Sequence, residues 1–135
     1  MPDANKILVE TAPGELIDKI TILEIKTERM TDAAKVHNVR IELAALTAAR
    51  DRALPPPSAL PELPNLTAEL KRVNEALWEI EDHIRDCERD KDFGPAFIEL
   101  ARSVYRSNDR RADLKRQINT LLGSQLIEEK SYSKY

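Results

Sequence analysis

The sequence predicts an all-α protein, an antiparallel helical bundle of about four helices with a long coiled-coil-like hairpin and a C-terminal tail. Charged residues make up 33% of the chain and aromatic residues only 4%, a balance that favours long helices over sheets. Apolar residues recur at alternating gaps of four and three, the spacing of a helix packing seam. The 135 residues are the size of one domain, which we expect to cover 1–135.

The first helix is expected at about 13–30. Pro13 suits a first helical turn because its missing N–H would have no partner there. The main seam has five members, Leu16, Ile20, Leu23, Thr27 and Met30. Ile22 and Ile25 fall on another face, so apolar residues cover two sides of this helix. A helix of that kind is usually internal to a bundle or shared with a partner chain.

The second helix is expected at about 32–53, with Thr31 or Asp32 as its N-cap. A heptad-like seam runs along it, through Val36, Val39, Leu43, Leu46, Arg50 and Ala53. Residues 54–65 contain five prolines in "LPPPSALPELPN", which remove backbone donors and end the helix. We interpret this stretch as a connector at one end of the molecule.

The third helix is expected at about 66–91 and has the most regular pattern. Its seam consists of Leu66, Leu70, Val73, Leu77, Ile80, Ile84 and Cys87, which predicts left-handed coiled-coil packing. Gly94 breaks this helix and Pro95 begins the fourth. The fourth helix is expected at about 95–122, stopped by Gly123, and residues 123–135 form the tail.

The centre of the fourth helix is polar where a packing seam should be apolar. Two neighbouring registers are compatible with the pattern, and both place Arg111 in the seam with Asn108 or Ser107 one turn before it. An unpaired buried guanidinium is very costly, so Arg111 needs a carboxylate, carbonyl groups, a ligand or water. One interpretation is a polar layer that fixes helix register. The other is an anion site in which Arg111 and Lys115 bind a phosphate or carboxylate.

The anion-site interpretation defines a set of candidate ligand-binding residues. In it, the tail closes over the fourth helix as a lid, and the ligand is a sugar nucleotide or a phosphate. The candidates are Tyr105, Asn108, Arg111, Lys115, Lys130 and Tyr132. We assign no catalytic residue, because serine, cysteine and histidine show no arrangement for nucleophilic catalysis.

Other classes of function are not favoured. Glu79, His83 and Cys87 share one helical face, but a helical metal site needs more inward ligands, so we expect no metal and no cofactor. The formal net charge is −3, which argues against a nucleic-acid binder despite the basic ridge of Arg102, Arg106 and Arg110. A single cysteine fits a reducing compartment. With no leader sequence and no long apolar run, we expect a cytoplasmic protein and no membrane partner.

Four segments carry a resemblance to a known family. They are "PGELIDKITILEIK", "LKRVNEALWEIEDHIR", "FIELARSVYRSNDRRADLKRQIN" and "GSQLIEEKSY". Together they resemble an uncharacterised bacterial family of small all-helical proteins, a domain of unknown function. The resemblance implies that the polar centre and the "EEKSY" tail are signature features. It also implies a connection with sugar-transferring proteins of surface polysaccharide assembly.

The first helix is also similar to that of the all-helical chorismate mutases, with its "ID" segment and Glu-Arg-Met ending. This similarity implies that arginines and a lysine hold a dicarboxylate transition state. Arg111 and Lys115 would take those roles, with Lys19 or Lys26 opposite. The chain departs from that family because it lacks the arginine near the start of the first helix and has a proline-rich connector.

The function expected from the sequence is a non-enzymatic accessory or protein-interaction module, connected with surface polysaccharide synthesis. The alternatives are a binder of a small anionic ligand and a mutase-like enzyme that uses the basic fourth helix. The expected partners are a second copy of the chain through the two-sided first helix, another protein, or a small anionic ligand.

Overall fold

The computed structural model describes residues 5–135, and these form an all-α helical bundle, as the sequence predicts. Its four helices are α1 (Pro13–Arg29), α2 (Ala33–Ala53), α3 (Glu62–Asp90) and α4 (Pro95–Leu121). A non-helical arm (residues 5–12) precedes α1. The tail after α4 is also non-helical, apart from the turn around Gly123, whose φ of +67° suits glycine.

Helix α1 is the internal helix of the bundle and contacts each of the other three. It runs antiparallel to α4, since Gly14 meets Asn119 while Asp18 meets Arg111. It runs parallel to α3, because α3 and α4 are joined by a tight turn and run in opposite directions. The two apolar sides expected for this helix are therefore both used within the chain.

Helices α3 and α4 form the long hairpin, joined by a tight turn at residues 91–94. Lys91 ends α3 in the left-handed conformation, with φ 54°, and Pro95 begins α4. At a rise of about 1.5 Å per residue, α1 is much shorter than either partner. Because α1 ends beside Glu79, it covers only the base of the hairpin. Residues 80–103, the hairpin tip, extend beyond it.

Helix α2 lies on the outside and, among the helices of the described chain, contacts α1 alone. Asp32 is its N-cap, accepting hydrogen bonds from Ala34 N at 3.0 Å and Lys35 N at 3.2 Å. Helix α3 begins at Glu62, four residues before the position indicated by the heptad pattern. Pro64 lies in its first turn, where no intrahelical donor is required, so the prolines of the connector do not delay the helix.

The hydrophobic core lies at the base of the hairpin. It is built from Ile17 of α1, Leu63 and Leu70 of α3, and Leu114 and Ile118 of α4. Each is almost wholly removed from solvent, which is where apolar burial contributes most to stability. No helix in residues 5–135 has the length and hydropathy required to cross a membrane.

Candidate ligand-binding site

The polar centre of α4 is anchored by an ion pair with α1. Arg111 Nε donates to Asp18 Oδ1 at 2.9 Å, and Nη2 donates to Asp18 Oδ2. Asp18 is only 1% exposed, whereas the Arg111 side chain keeps 29% of its surface in solvent. The hydrogen bond with Asp18 raises the pKa of Arg111 above its ordinary value, although burial opposes the rise.

Two further side chains satisfy the Asp18 carboxylate from the α3 side. Asn74 Nδ2 lies 2.9 Å from both Asp18 Oδ1 and Thr21 Oγ1. The Thr21 hydroxyl in turn donates to the Asp18 carbonyl at 2.7 Å. The buried layer therefore contains partners from α1, α3 and α4, which agrees with the interpretation of a polar layer that fixes helix register.

Lys115, one turn after Arg111, is bound to two carboxylates. Its Nζ lies 2.7 Å from Glu15 Oε2 of α1 and 2.9 Å from Glu128 Oε2 of the tail. Burial alone would lower the pKa of Lys115, but the two carboxylates outweigh burial and raise it. The same contact lowers the pKa of Glu128. Lys115 thus joins α1, α4 and the tail, and its charge is already neutralised by the protein.

The tail runs back along α4 and is fastened at two places. At the middle of the tail, Arg116 Nη2 lies 3.2 Å from Glu129 Oε2, and the neighbouring Glu128 is bound by Lys115. Near its end, Tyr135 donates its hydroxyl proton to Asp109 at 2.5 Å, and its ring meets Tyr105 edge to face at 4.8 Å. Between these fastenings the tail spans a gap above α4.

This gap is a cavity of about 1000 Å³, partly open to solvent. Three cationic side chains line it, namely Arg111 of α4 and Lys130 and Lys134 of the tail, against one acidic side chain, that of Asp109. Three tyrosines also line it, at positions 105, 132 and 135. The cavity, called the tail pocket below, therefore offers a cluster of positive charge together with aromatic rings.

Arg111 keeps one guanidinium nitrogen outside the ion pair with Asp18. The contacts with Asp18 use Nε and Nη2, and Nη1 makes no hydrogen bond to any residue in the range 5–135. Arg111 therefore combines a structural role, in holding Asp18, with a place in the lining of the tail pocket.

Five of the six candidate residues line the tail pocket, namely Tyr105, Asn108, Arg111, Lys130 and Tyr132. Lys115 does not, because Glu15 and Glu128 hold its ammonium group in a smaller neighbouring cavity of about 230 Å³. Whether the five bind a ligand remains a prediction.

Sequence reasoning missed the acidic partners of this site. Asp18 lies on a stripe of Gly14, Asp18, Thr21 and Ile25, spaced by four, three and four, and all four residues are buried. That spacing in the sequence indicates a second packing face on α1. Lys134 and Tyr135 were also missed, because nothing local in the tail indicates where it docks.

The arrangement of cations expected by analogy with the chorismate mutases is not assembled. Lys19 points towards α2, where it pairs with Glu42 at 3.0 Å. Lys26 is not among the residues of the tail pocket. In the described part of the chain, no three histidine, cysteine, aspartate or glutamate side chains are grouped so as to hold a metal ion.

The fold and site define an all-helical protein with a cationic, tyrosine-lined pocket between its last helix and its tail. The sequence model of a family of unknown function, DUF6165, matches residues 7–135, and the chain belongs to this family. The match includes α1–α4, the tail and most of the arm. No curated protein and no solved structure matches the chain significantly.

Proposed function

We propose that the protein is a non-enzymatic accessory module that binds a small anionic ligand, a sugar nucleotide or a phosphate compound, in the tail pocket. The observation that carries the proposal is the position of the tail lysines Lys130 and Lys134 around one cavity, beside the Asp18-bound Arg111, in a chain of net negative charge. Cations gathered at a concave surface raise the local concentration of anions. A cavity of about 1000 Å³ is large enough for a whole sugar nucleotide.

The chemistry of the lining fits such a ligand group by group. The lysines supply compact charges that can follow a flexible phosphate, while the guanidinium of Arg111 is held in one orientation by Asp18. The tyrosine rings offer flat apolar faces against which a base or sugar ring can pack. Tyr132 is already paired with Lys130, whose Nζ lies 5.9 Å from the ring centroid, so ring and charge are presented together.

The same lining supports binding rather than catalysis. Arg111 is engaged by Asp18 and Lys115 by two glutamates, so neither is available as an uncompensated cation to stabilise a dicarboxylate transition state. The groups around the pocket are hydrogen-bond donors, charges and rings. These can hold and orient a ligand, and they favour an accessory role over the mutase-like alternative.

The proposal also connects the module with a cellular process. The resemblance of the four sequence segments connects it with surface polysaccharide synthesis in bacteria, and sugar nucleotides are the donors of such reactions. The lone Cys87, which is free, is compatible with the reducing cytoplasm where these donors are made. In this setting the module would present or sense a sugar nucleotide for a partner protein.

Thermal melting with a ligand panel tests the proposal. Inorganic phosphate, uridine diphosphate and a uridine diphosphate sugar are compared at low salt, because binding to exposed cations is screened by salt. A ligand at about 100 times its dissociation constant adds about 2.7 kcal/mol to stability, which raises the melting temperature by several degrees. A flat panel would contradict the proposal.

Matched variants locate the site. Lys130→Ala and Lys134→Ala each remove one cation of the tail pocket, whereas Lys35→Ala removes an exposed lysine at the start of α2. We expect the first two to reduce the ligand-induced shift and the third to leave it unchanged. Arg111 is avoided because its loss would leave Asp18 buried without its cation. A shift that survives both tail variants would place binding elsewhere and overturn the proposed site.

A further inference from the structure

A second cavity, of about 400 Å³, lies between α1, α3 and α4 and is partly open to solvent. It adjoins the tail pocket, because Val104, Asn108 and Arg111 of α4 line both cavities. These three residues are spaced by four and three and so share one face of the helix. We call this cavity the Trp78 pocket, after the only tryptophan of the chain, which lies in its wall. The two cavities are close enough to receive the two ends of one extended ligand.

The wall of the Trp78 pocket includes a broad apolar surface. Trp78 of α3 is partly exposed, and Ile22 of α1 and Leu77 of α3 line the same cavity. The indole N–H of Trp78 makes no hydrogen bond within residues 5–135. A tryptophan ring offers a flat apolar face on which the C–H groups of a sugar ring can pack, and its N–H is a donor for a hydroxyl group.

Two polar side chains of the Trp78 pocket have no partner in the described chain. Asp82, one turn after Trp78 on α3, makes no ion pair and no hydrogen bond within residues 5–135. The same holds for the side-chain amide of Asn108 on α4. A free carboxylate accepts hydrogen bonds from hydroxyl groups, and a free amide both donates and accepts them. The pocket therefore combines a ring-shaped apolar surface with groups that bind the hydroxyls of an uncharged sugar.

The charges of the two cavities would orient such a ligand. The tail pocket has the two tail lysines, Lys130 and Lys134. In the Trp78 pocket, Arg85 lies 3.5 Å from Glu81 and Arg111 is bound by Asp18, so the charge that remains unpaired is that of Asp82. A phosphate is attracted to the first cavity and repelled from the second. A ligand with one anionic end and one uncharged end is thus bound in a single direction.

We propose that the Trp78 pocket is the subsite for the sugar ring of a sugar nucleotide whose phosphates lie among the tail lysines. This inference rests on the proposed function of the tail pocket, and it narrows the ligand from phosphate compounds in general to nucleotides that carry a sugar. Trp78 packs against the apolar face of the sugar, while Asp82 and Asn108 bind its hydroxyl groups. The nucleoside lies on the tyrosine side of the phosphates.

Isothermal titration calorimetry with uridine diphosphate and uridine diphosphate glucose tests the subsite. Because the two compounds differ in charge as well as in the sugar, each variant is compared with the wild type for each compound separately. Asp82→Ala should weaken binding of uridine diphosphate glucose about tenfold, since a hydrogen bond to a charged group is lost. It should leave binding of uridine diphosphate unchanged. Thermal melting without ligand checks that this exposed, unpaired position can be changed without loss of stability.

Asp86→Ala is the matched control. Asp86 is an exposed acid one turn further along α3 that does not line the cavity, so its loss changes the charge of the helix equally. We expect it to leave the binding of both compounds unchanged. If Asp82→Ala and Asp86→Ala had the same effect on uridine diphosphate glucose, the sugar subsite would be overturned.

The fluorescence of Trp78 provides a second measurement, because no other tryptophan contributes to it. Excitation at the red edge of the indole absorption avoids the tyrosines and the uracil ring. Uridine diphosphate glucose should change the emission of Trp78, and uridine diphosphate should not. An equal response to both compounds would also overturn the subsite.

Lys130→Ala separates this inference from the proposed function. It removes a cation of the tail pocket and should weaken the binding of both compounds. If Lys130→Ala weakened both while Asp82→Ala weakened neither, the tail pocket would stand and the sugar subsite would be wrong. If neither compound bound to the wild type, both proposals would be wrong.

Discussion

Arg111 of α4 binds both carboxylate oxygens of Asp18 of α1, and it joins the most buried acid within residues 5–135 to the wall of the tail pocket. The two residues are unequally placed, because Asp18 is fully enclosed while Arg111 reaches solvent. A buried carboxylate that loses its cation has no access to water, and this asymmetry determines how the pair responds to mutation.

Arg111→Met should therefore be destabilising by itself. We expect the free energy of unfolding to fall by about 3 kcal/mol, the lower end of the loss typical of a broken buried ion pair, because Asp18 is left enclosed without its cation. Adding Asp18→Asn should recover most of the loss, since the amide oxygen still accepts from Asn74. Urea denaturation of both variants measures this, with Arg106→Met on the exposed ridge as the control. A stable single variant would show that the buried Asp18 does not depend on its ion pair with Arg111.

The close approach of α1 and α4 yields a second prediction, at Gly14. Its N–H donates to Asn119 Oδ1 at 2.7 Å, which supplies the N-terminal cap that Ala12 does not provide. A Cβ at position 14 would lie 2.5 Å from the Lys115 carbonyl oxygen and 2.9 Å from Asn119 Oδ1. Such contacts cannot be accommodated without movement of the backbone.

Gly14→Ala should accordingly lower stability by about 1–3 kcal/mol, although alanine normally favours a helix by about 0.5–1 kcal/mol over glycine. Gly94→Ala is the control, because its Cβ would meet only the Asp92 side chain, at 3.3 Å. Thermal melting of the two variants makes the comparison. If Gly14→Ala melted above the wild type, the helix approach described for α1 and α4 would be incorrect.

Local chemistry explains what could be predicted of this fold. The heptad spacing, the prolines and Gly94 are read within a few residues of where they act, so the helices and the connector are predictable. The partner of Arg111 is not, because the chain has 24 acidic residues and the need for a carboxylate does not select among them. The cap on α1 comes from Asn119, 105 positions away from Gly14. A local sequence pattern cannot predict this contact either.

The seam of α3 shows the same limit within one helix. Leu70 and Ile84 occupy equivalent positions in the predicted heptad pattern, yet Leu70 is fully buried while Ile84 is partly exposed. The difference arises because α1 covers the base of the hairpin and ends before the tip. Periodicity identifies which face packs but not how many neighbours meet it.

Truncation at these two positions tests the uneven core. Leu70→Ala should cost about 2–5 kcal/mol of unfolding free energy, because it opens a cavity beneath α1, α3 and α4. Ile84→Ala should cost clearly less, since that side chain already contacts solvent in the hairpin tip. Urea denaturation with equal m-values makes the comparison valid. Equal losses of unfolding free energy would indicate that Ile84 is as well buried as Leu70, and that a partner outside the described residues covers the hairpin tip.

The attachment of the tail should depend on pH through Glu128. Lys115 lowers the pKa of this carboxyl below its ordinary value of 4.5. A carboxyl whose pKa is lowered by folding stabilises the folded protein. This stabilisation is complete when the pH is above the pKa of the carboxyl in the unfolded chain, and it is lost as the pH falls through the pKa of the carboxyl in the folded protein. Lys115 itself stays charged throughout, because its pKa is raised above 10.5.

Glu128→Gln should thus destabilise the protein at pH 7 by at most about 1 kcal/mol, since the side chain is partly exposed. The difference from the wild type should shrink below pH 4.5 and vanish at more acidic pH, where the wild-type carboxyl is protonated as well. Unfolding free energies measured from pH 3 to 7 provide the test. Glu129→Gln is the matched control, because Glu129 pairs with the exposed Arg116. If the two variants showed the same pH dependence, Glu128 would have no special role in holding the tail.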